Sequence, residues 1–109
     1  MRIPFDHGTP KGLARAFANH IVLTALGCGW DTLSNGALLG AAEAAGVDVL
    51  LTTDQGIRYQ QNLTGRRIAL VVLTGTTKWT RIQLFFAPIV AAVEAAIPGS
   101  YTEVAISIR

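Results

Sequence analysis

The segment that most constrains the fold is residues 48–54, in which Val49, Leu50 and Leu51 are followed at once by two threonines and a carboxylate. A short apolar run bounded by polar residues is typical of a strand buried on both faces, as in a parallel sheet covered by helices. Asp54 would then lie at the carboxyl end of that strand, where open α/β sheets collect their ligands. The alternative is that Asp54 only caps the helix that follows.

Composition limits the chain to one well-packed domain. The chain has 109 residues, so residues 1–109 are expected to form a single domain with one core. Half of the residues are hydrophobic and only 15% are charged, which indicates a compact fold and not a disordered chain. The net charge of +2 permits contact with an acidic partner, whereas a dedicated DNA-binding protein is normally more basic.

The sequence shows no targeting signal. Its longest apolar stretch, residues 68–73, is far too short to cross a bilayer. Arg2, Pro4 and Asp6 occupy the N-terminal positions at which a secretion signal needs an apolar region. The single cysteine, Cys28, cannot form an internal disulfide, which is typical of a reducing compartment. We therefore expect a cytoplasmic protein with no membrane partner.

Strand and helix patterns alternate along the whole chain. Further strands are predicted over residues 2–6, 20–24, 67–73 and 102–108. Helices are predicted after the cap Thr9 and over residues 34–46, 55–63 and 83–97. The last strand alternates apolar and polar residues, as an edge strand does. This order predicts a three-layer α/β/α domain with a mostly parallel central sheet and right-handed crossovers.

Two of the predicted helices carry an apolar face suited to packing on the sheet. The helix over residues 34–46 ends at Gly46, and its face consists of Ala37, Leu38, Ala41, Ala42 and Ala45. The stripe of the final helix consists of Leu84, Phe85, Ile89, Val90, Val93 and Ile97. Pro88 lies inside the second pattern, so that helix is expected to begin near Pro88 or to be kinked there.

Two acids, Asp6 and Asp54, both follow predicted strands and would meet at the carboxyl edge of the sheet. Carboxylates brought together repel each other unless a cation is present. Oxygen ligands without a histidine or thiolate cluster suit Mg²⁺ or Mn²⁺, which would activate water and neutralise charge during phosphodiester cleavage. Asp31 and Asn35 could add oxygens, although a loop acid and a helix cap are the alternatives for these two residues.

Three cations are candidates for contacts to nucleic-acid phosphates. Lys11 and Arg15 are four residues apart on one helix face that begins close to Asp6, and Arg58 follows Asp54. An ordinary solvated face is the alternative for the first two. No glycine-rich phosphate loop is present, because Gly56, Gly65 and Gly75 lack the spacing and the lysine.

Two motifs resemble the PIN-like domain family, which is catalogued as a domain of unknown function and is related to VapC-type toxins. They are Pro-Phe-Asp6 followed by Thr-Pro-Lys-Gly-Leu-Ala-Arg-Ala, and residues 41–46 leading to Leu-Leu-Thr-Thr-Asp54. The resemblance covers essentially the whole chain. It implies a metal-dependent endoribonuclease, a hydrolase in which Asp6 and Asp54 match the first and last acids of the set. It also implies a homodimer and, for toxin members, a cognate antitoxin encoded beside the toxin.

The chain departs from the family pattern at three positions. Asn35-Gly36 stands where an acid usually opens a helix, His7-Gly8 replaces an acid after Asp6, and Gly56 replaces an aspartate after Asp54. An amide oxygen at Asn35 can bind a metal but adds no charge, so metal affinity should fall. Asp31 or Glu43 would have to compensate, and Glu43 is predicted to be mostly a surface residue. The alternative to a nuclease is therefore a degenerate PIN-like module that binds RNA or protein without cleavage.

Overall fold

A computed structural model of the chain describes a five-stranded, all-parallel sheet in the order β2-β1-β3-β4-β5. The described residues are 2–5, 9, 11–17, 20–24, 27–30, 33, 35–53, 67–76 and 78–106. The strands are β1 (Arg2–Phe5), β2 (Ile21–Thr24), β3 (Val49–Thr52), β4 (Ala69–Gly75) and β5 (Tyr101–Ile106). The α/β class predicted from the alternating patterns is confirmed.

The helical segments lie between these strands, as parallel connections require. They are a 3₁₀ helix (Lys11–Phe17), α1 (Asn35–Ala44), α2 (Trp79–Ile82), a short 3₁₀ turn (Gln83–Phe85) and α3 (Phe86–Ala95). The helix predicted over residues 55–63 lies outside the described residues. Within the described ranges, no helix has the length and apolar character needed to cross a bilayer.

The central strands are buried on both faces because helical segments pack on each side. Successive residues of a strand point to opposite sides, so neighbours in sequence enter different clusters. Along β3, Val49 and Leu51 belong to one apolar cluster and Leu50 to another, and all three are almost fully buried. The first cluster includes residues of the 3₁₀ helix and α3; the second includes residues of α1. Burial of each large side chain contributes roughly 1.5–3 kcal/mol to folding. This two-sided burial explains why the strand residues are apolar without alternation.

Pro4 lies in the middle of the sheet and not at its edge. Because a proline cannot donate to a ladder, a strand that contains one is usually short or lies at an edge of its sheet. The strand is short, with four residues, but β2 and β3 flank it on either side. It pairs with β2 along its whole length, whereas its described pairing with β3 is the single pair Phe5–Leu51. β5 is an edge strand, as predicted: Val104 and Ile106 are buried, whereas Glu103 and Ala105 are exposed.

The final helix begins at Phe86, close to Pro88 as predicted, because the chain breaks before it. Phe85 has φ −115° and ψ 17°, which ends the preceding 3₁₀ turn and restarts the helix at Phe86. Pro88 is then in the first turn of α3, where its missing amide is tolerated. Ile89 and Val93 of the predicted stripe are fully buried, whereas Leu84, before the break, is 69% exposed and Ile97, beyond the end of α3 at Ala95, is 66% exposed. The predicted stripe was wrong at these two ends.

The first two helices also differ from the sequence pattern. The segment after Thr9 is a 3₁₀ helix and not an α-helix, and its Leu13 and Phe17 are buried. Gly12 in its first turn is a poor α-helix former, which lowers the stability of an α-helix at this position relative to a 3₁₀ helix. In α1 the buried residues are Leu38, Leu39 and Ala42, whereas Ala37 and Ala45, predicted on the buried face, are exposed.

Gly12 is required by the packing of Trp79, which leads to a testable prediction. A β-carbon at Gly12 would lie 2.5 Å from two ring carbons of Trp79, and that ring also packs on Phe86 with 5.8 Å between the ring centroids. We expect Gly12→Ala to lower the free energy of unfolding by about 1 kcal/mol or more, since overpacking outweighs the gain in helix propensity. Urea denaturation followed by tryptophan fluorescence measures this change.

Gly40 in α1 provides the matched control for this substitution. No atom lies within 4 Å of the position that a β-carbon at Gly40 would occupy. Gly40→Ala should therefore raise stability by about 0.5–1 kcal/mol through helix propensity alone. Equal stabilisation by both alanine variants would contradict the packing assigned to Gly12 and Trp79.

Candidate functional site

The strand order changes direction at one place in the sheet, between β1 and β3. The chain first adds β2 on one side of β1, then crosses to the other side for β3, β4 and β5. In open α/β sheets such a reversal leaves a crevice beyond the carboxyl ends of the two central strands, and ligands bind there. We name this region the β1/β3 crevice and define it by Phe5, Leu51 and Thr52, which end the two strands.

The two strands end side by side. Phe5, the last residue of β1, pairs with Leu51, the residue before the end of β3. In the sequence, Asp6 follows Phe5 directly, and Asp54 follows Thr52 after one intervening threonine. Asp6 and Asp54 themselves lie outside the described residues. The structure therefore makes neighbours of the two strands that precede these acids.

Thr9 joins the segment after β1 to the end of β3. Its hydroxyl donates to the backbone carbonyl of Leu51 over 3.3 Å, and the residue is only 7% exposed. Sequence reasoning indicated only a local role for Thr9, as a helix cap. A bond to a residue 42 positions away depends on the pairing of β1 with β3, which no local pattern reveals.

The cations and the amide proposed for the site are only partly described. The backbone of Lys11 opens the 3₁₀ helix and that of Asn35 opens α1, but their side chains are outside the description. Arg15 is exposed on the 3₁₀ helix, whose Leu13 and Phe17 face the core. Its exposure fits both a phosphate contact and the alternative of a solvated face. Asp31 and Arg58 lie outside the described residues.

His20 belongs to a structural pair and not to a metal site. Its Nε2 atom lies 2.9 Å from a carboxylate oxygen of Glu94, and its ring packs edge-on against Phe17. This contact joins the beginning of β2 to α3, at the amino edge of the sheet. In the part of the chain that the structure describes, no three side chains of histidine, cysteine, aspartate or glutamate are grouped to hold a metal ion. The metal ligands proposed from the sequence thus depend on Asp6, Asp54 and Asp31.

Glu43 lies at the wrong end of the sheet to replace a missing acid. Its carboxylate accepts the backbone amide of Arg67 over 2.9 Å, just before β4 begins. The contact places the carboxylate at the amino edge, opposite the β1/β3 crevice. Glu43 is half-buried and joins α1 to the start of β4, so it is more than the surface residue that the sequence indicated. This leaves Asp31 as the remaining acid that could compensate for Asn35.

Two cavities of about 250 Å³ and 410 Å³ also lie at the amino edge. They share Asp48, Arg67 and Pro98 in their walls. These cavities make the amino edge an alternative binding site, whereas the strand order favours the opposite edge. We give more weight to the strand order because the crevice at a reversal follows from parallel-sheet geometry, and because the carboxylate of Glu43 in one cavity wall already accepts the backbone amide of Arg67.

The chain matched no protein-family model, no curated protein and no solved structure in the comparisons. The PIN-like resemblance therefore remains a prediction from its motifs.

Proposed function

We propose that this protein is a metal-dependent endoribonuclease of the PIN-like type, with its centre in the β1/β3 crevice. The observation that carries the proposal is the parallel pairing of Phe5 with Leu51 at the strand reversal. Consecutive α-carbons are about 3.8 Å apart, so Asp6 begins one such step beyond Phe5 and Asp54 begins no more than two steps beyond Thr52. That the two aspartates follow adjacent strand ends in the sequence supports a shared ion.

The donor chemistry fits Mg²⁺ or Mn²⁺. Asp6 and Asp54 supply the charged oxygens, and Asp31 and Asn35 supply further oxygens from the segment before α1 and from its first residue. When bound, the ion activates water and neutralises charge on the phosphodiester. Lys11, together with Arg15 and Arg58, contacts the RNA phosphates and orients the strand. Arg15 is exposed and so accessible to such a contact.

The biological role that fits such a nuclease is the toxin half of a toxin–antitoxin pair. In this role the protein acts as a cytoplasmic homodimer, and a cognate antitoxin binds the toxin and restrains cleavage of cellular RNA. A small antitoxin-like reading frame beside the gene would support the assignment. Its absence from all related loci would leave a nuclease without this role.

Removal of the metal gives the direct test of catalysis. We expect the purified chain to cleave single-stranded RNA in Mg²⁺ or Mn²⁺ and to lose cleavage when EDTA is added. Without the metal, the two negatively charged carboxylates would repel the negatively charged phosphodiester. Gel electrophoresis of an end-labelled RNA pool measures the reaction. Cleavage that persists in excess EDTA, or that does not occur at any metal concentration, would contradict the proposal.

The second candidate is a degenerate PIN-like module that binds RNA or protein without cleavage. Two observations favour it: Asn35, Gly8 and Gly56 reduce the number of acids, and Glu43 is held at the opposite edge. A thermal-shift titration separates the candidates. Stabilisation by Mn²⁺ that vanishes in Asp54→Asn supports the nuclease, whereas flat melting curves at millimolar metal support the module.

A further inference from the structure

We propose that the amino edge of the sheet holds a second binding site, and that its ligand is a free α-amino acid with an apolar side chain. The site consists of the two cavities that share Asp48, Arg67 and Pro98 in their walls, and we name it the amino-edge trough. All of its wall residues belong to the part of the chain that the structure describes. The inference does not depend on the proposed nuclease, because the trough is at the end of β3 opposite the β1/β3 crevice.

The trough has room for a small molecule. Its two lobes have volumes of about 250 Å³ and 410 Å³, and natural ligand pockets occupy roughly 300–1,000 Å³. The smaller lobe includes Val47, which follows α1, and the larger lobe includes Ala96, which follows α3. A ligand bound between Asp48 and Arg67 therefore has space on both sides of the sheet edge.

Asp48 and Arg67 carry opposite charges that do not neutralise each other. Both residues are exposed, and within the described ranges neither side chain has an ion pair or a hydrogen bond. Their backbones, in contrast, are held: the Asp48 carbonyl accepts the amide of Ala69 over 2.9 Å, and the Arg67 amide donates to Glu43. A ligand that carries one ammonium and one carboxylate would pair with both side chains.

The ends of two helices strengthen the negative part of the trough. α1 ends at Ala44 and α3 at Ala95, and the segments directly after them form walls of the two lobes. The carboxyl end of a helix carries a partial negative charge, so both ends favour an ammonium group. A phosphate is disfavoured there for the same reason. The guanidinium of Arg67 suits a carboxylate, which it can bind through two parallel hydrogen bonds.

The other walls favour an apolar side chain on the ligand. Val47, Val49, Ala96 and Pro98 present carbon atoms to the trough. The carboxylate of Glu43 is already engaged with the amide of Arg67, so few polar groups remain for a polar ligand side chain. Apolar walls with a small number of charged groups are typical of sites for small molecules.

A titration of the wild type with leucine and two analogues tests both charged contacts. Leucinamide lacks the carboxylate, and 4-methylpentanoate lacks the ammonium group. We expect leucine to shift the amide resonances of residues 46–48, 67 and 96–99 in nuclear magnetic resonance spectra, with saturation. Each analogue should bind about 10-fold more weakly, because each loses one charge-assisted contact.

Two variants assign each contact to its residue. Arg67→Gln keeps the backbone amide that Glu43 accepts, and should bind leucine about 10-fold more weakly while its affinity for leucinamide is unchanged. Asp48→Asn should weaken leucine about 10-fold and leave 4-methylpentanoate unchanged. Lys78→Gln is the control for loss of a cation, since Lys78 is exposed and follows the carboxyl end of β4. It should bind leucine as the wild type does.

Three results would overturn the inference. The first is the absence of saturable shifts with leucine, methionine and phenylalanine alike. The second is binding of either analogue as tightly as leucine, which would show that the ligand need not be a zwitterion. The third is unchanged binding of leucine by Arg67→Gln and Asp48→Asn, or shifts confined to residues outside the trough.

Discussion

Gly75→Ala is expected to lower the free energy of unfolding by about 2–5 kcal/mol, because alanine meets two separate obstacles at this position. Gly75 has φ +84°, a left-handed conformation that disfavours any side chain by roughly 1–2 kcal/mol. In addition, a β-carbon would lie 2.2 Å from the carbonyl oxygen of Ile106, so β4 and β5 would have to separate. That same carbonyl accepts the amide of Thr76 over 3.2 Å, and the bond would be disturbed.

A substitution at Gly46 separates the cost of the left-handed backbone from the cost of the steric contact. It has φ +76° after α1, but no atom lies within 4 Å of the position of its β-carbon. Gly46→Ala should therefore show the backbone strain alone, about 1–2 kcal/mol. Guanidinium denaturation of both variants measures the difference, which we expect to be a further 1–3 kcal/mol for Gly75. Equal losses would show that the contact between Gly75 and Ile106 does not limit the packing of β5.

Asp6→Asn and Asp54→Asn are each expected to reduce RNA cleavage at least about 100-fold. Loss of a residue that only supports a metal ligand already costs 10–100-fold, and loss of a charged ligand should cost more. Because the two carboxylates would hold one ion, the double variant should be little worse than either single variant. Single-turnover cleavage at saturating Mn²⁺ measures the three rates.

Asp48→Asn is the matched control for this double-variant cycle. Asp48 is exposed and precedes β3, so it lies at the opposite end of the strand that leads to Asp54. The same loss of charge should leave the rate of cleavage unchanged there. Rate losses for Asp6 and Asp54 that multiply in the double variant would indicate two independent roles. They would contradict a shared ion.

The strands could be predicted because their signals are local. Apolar runs over residues 48–54 and 67–73 and the alternation in residues 102–108 predicted buried and edge strands, and the structure has β3, β4 and β5 there. Alternation of strands with helices then predicted a parallel sheet. That β1 and β3 are neighbours did not follow from this alternation; the structure shows it through the pair Phe5–Leu51.

The errors occur where long-range packing decides the local structure. Leu84 precedes the break at Phe85 and Ile97 follows the end of α3 at Ala95, so both are exposed although they fit the helical period of the sequence. The contact of Glu43 with Arg67 exists only because α1 packs beside the start of β4. The bond of Thr9 to Leu51 likewise needs the assembled sheet. A periodic pattern indicates which residues prefer burial, but it does not identify the residues that they contact in the folded chain.

The sequence predicted the two strands that end at the candidate site, but not that they are neighbours. The reversal between β1 and β3 follows from the strand order. That order depends on the side of the existing sheet to which each connection adds the next strand. Sequence patterns do not determine that side. The acids could be named from the sequence because each directly follows an apolar run. Contacts between the two strand ends, such as the bond of Thr9 to Leu51, could not be named in this way.

The central claim is that the ends of β1 and β3 bring Asp6 and Asp54 to one metal ion. Crystals of the protein soaked in Mn²⁺, with data collected at the manganese absorption edge, test it most directly. We expect an anomalous peak beyond Phe5 and Leu51, with carboxylate oxygens of both aspartates within about 2.5 Å of the ion. Well-ordered aspartates that point away from each other, or a manganese peak only at the amino edge beside Asp48 and Arg67, would contradict the claim.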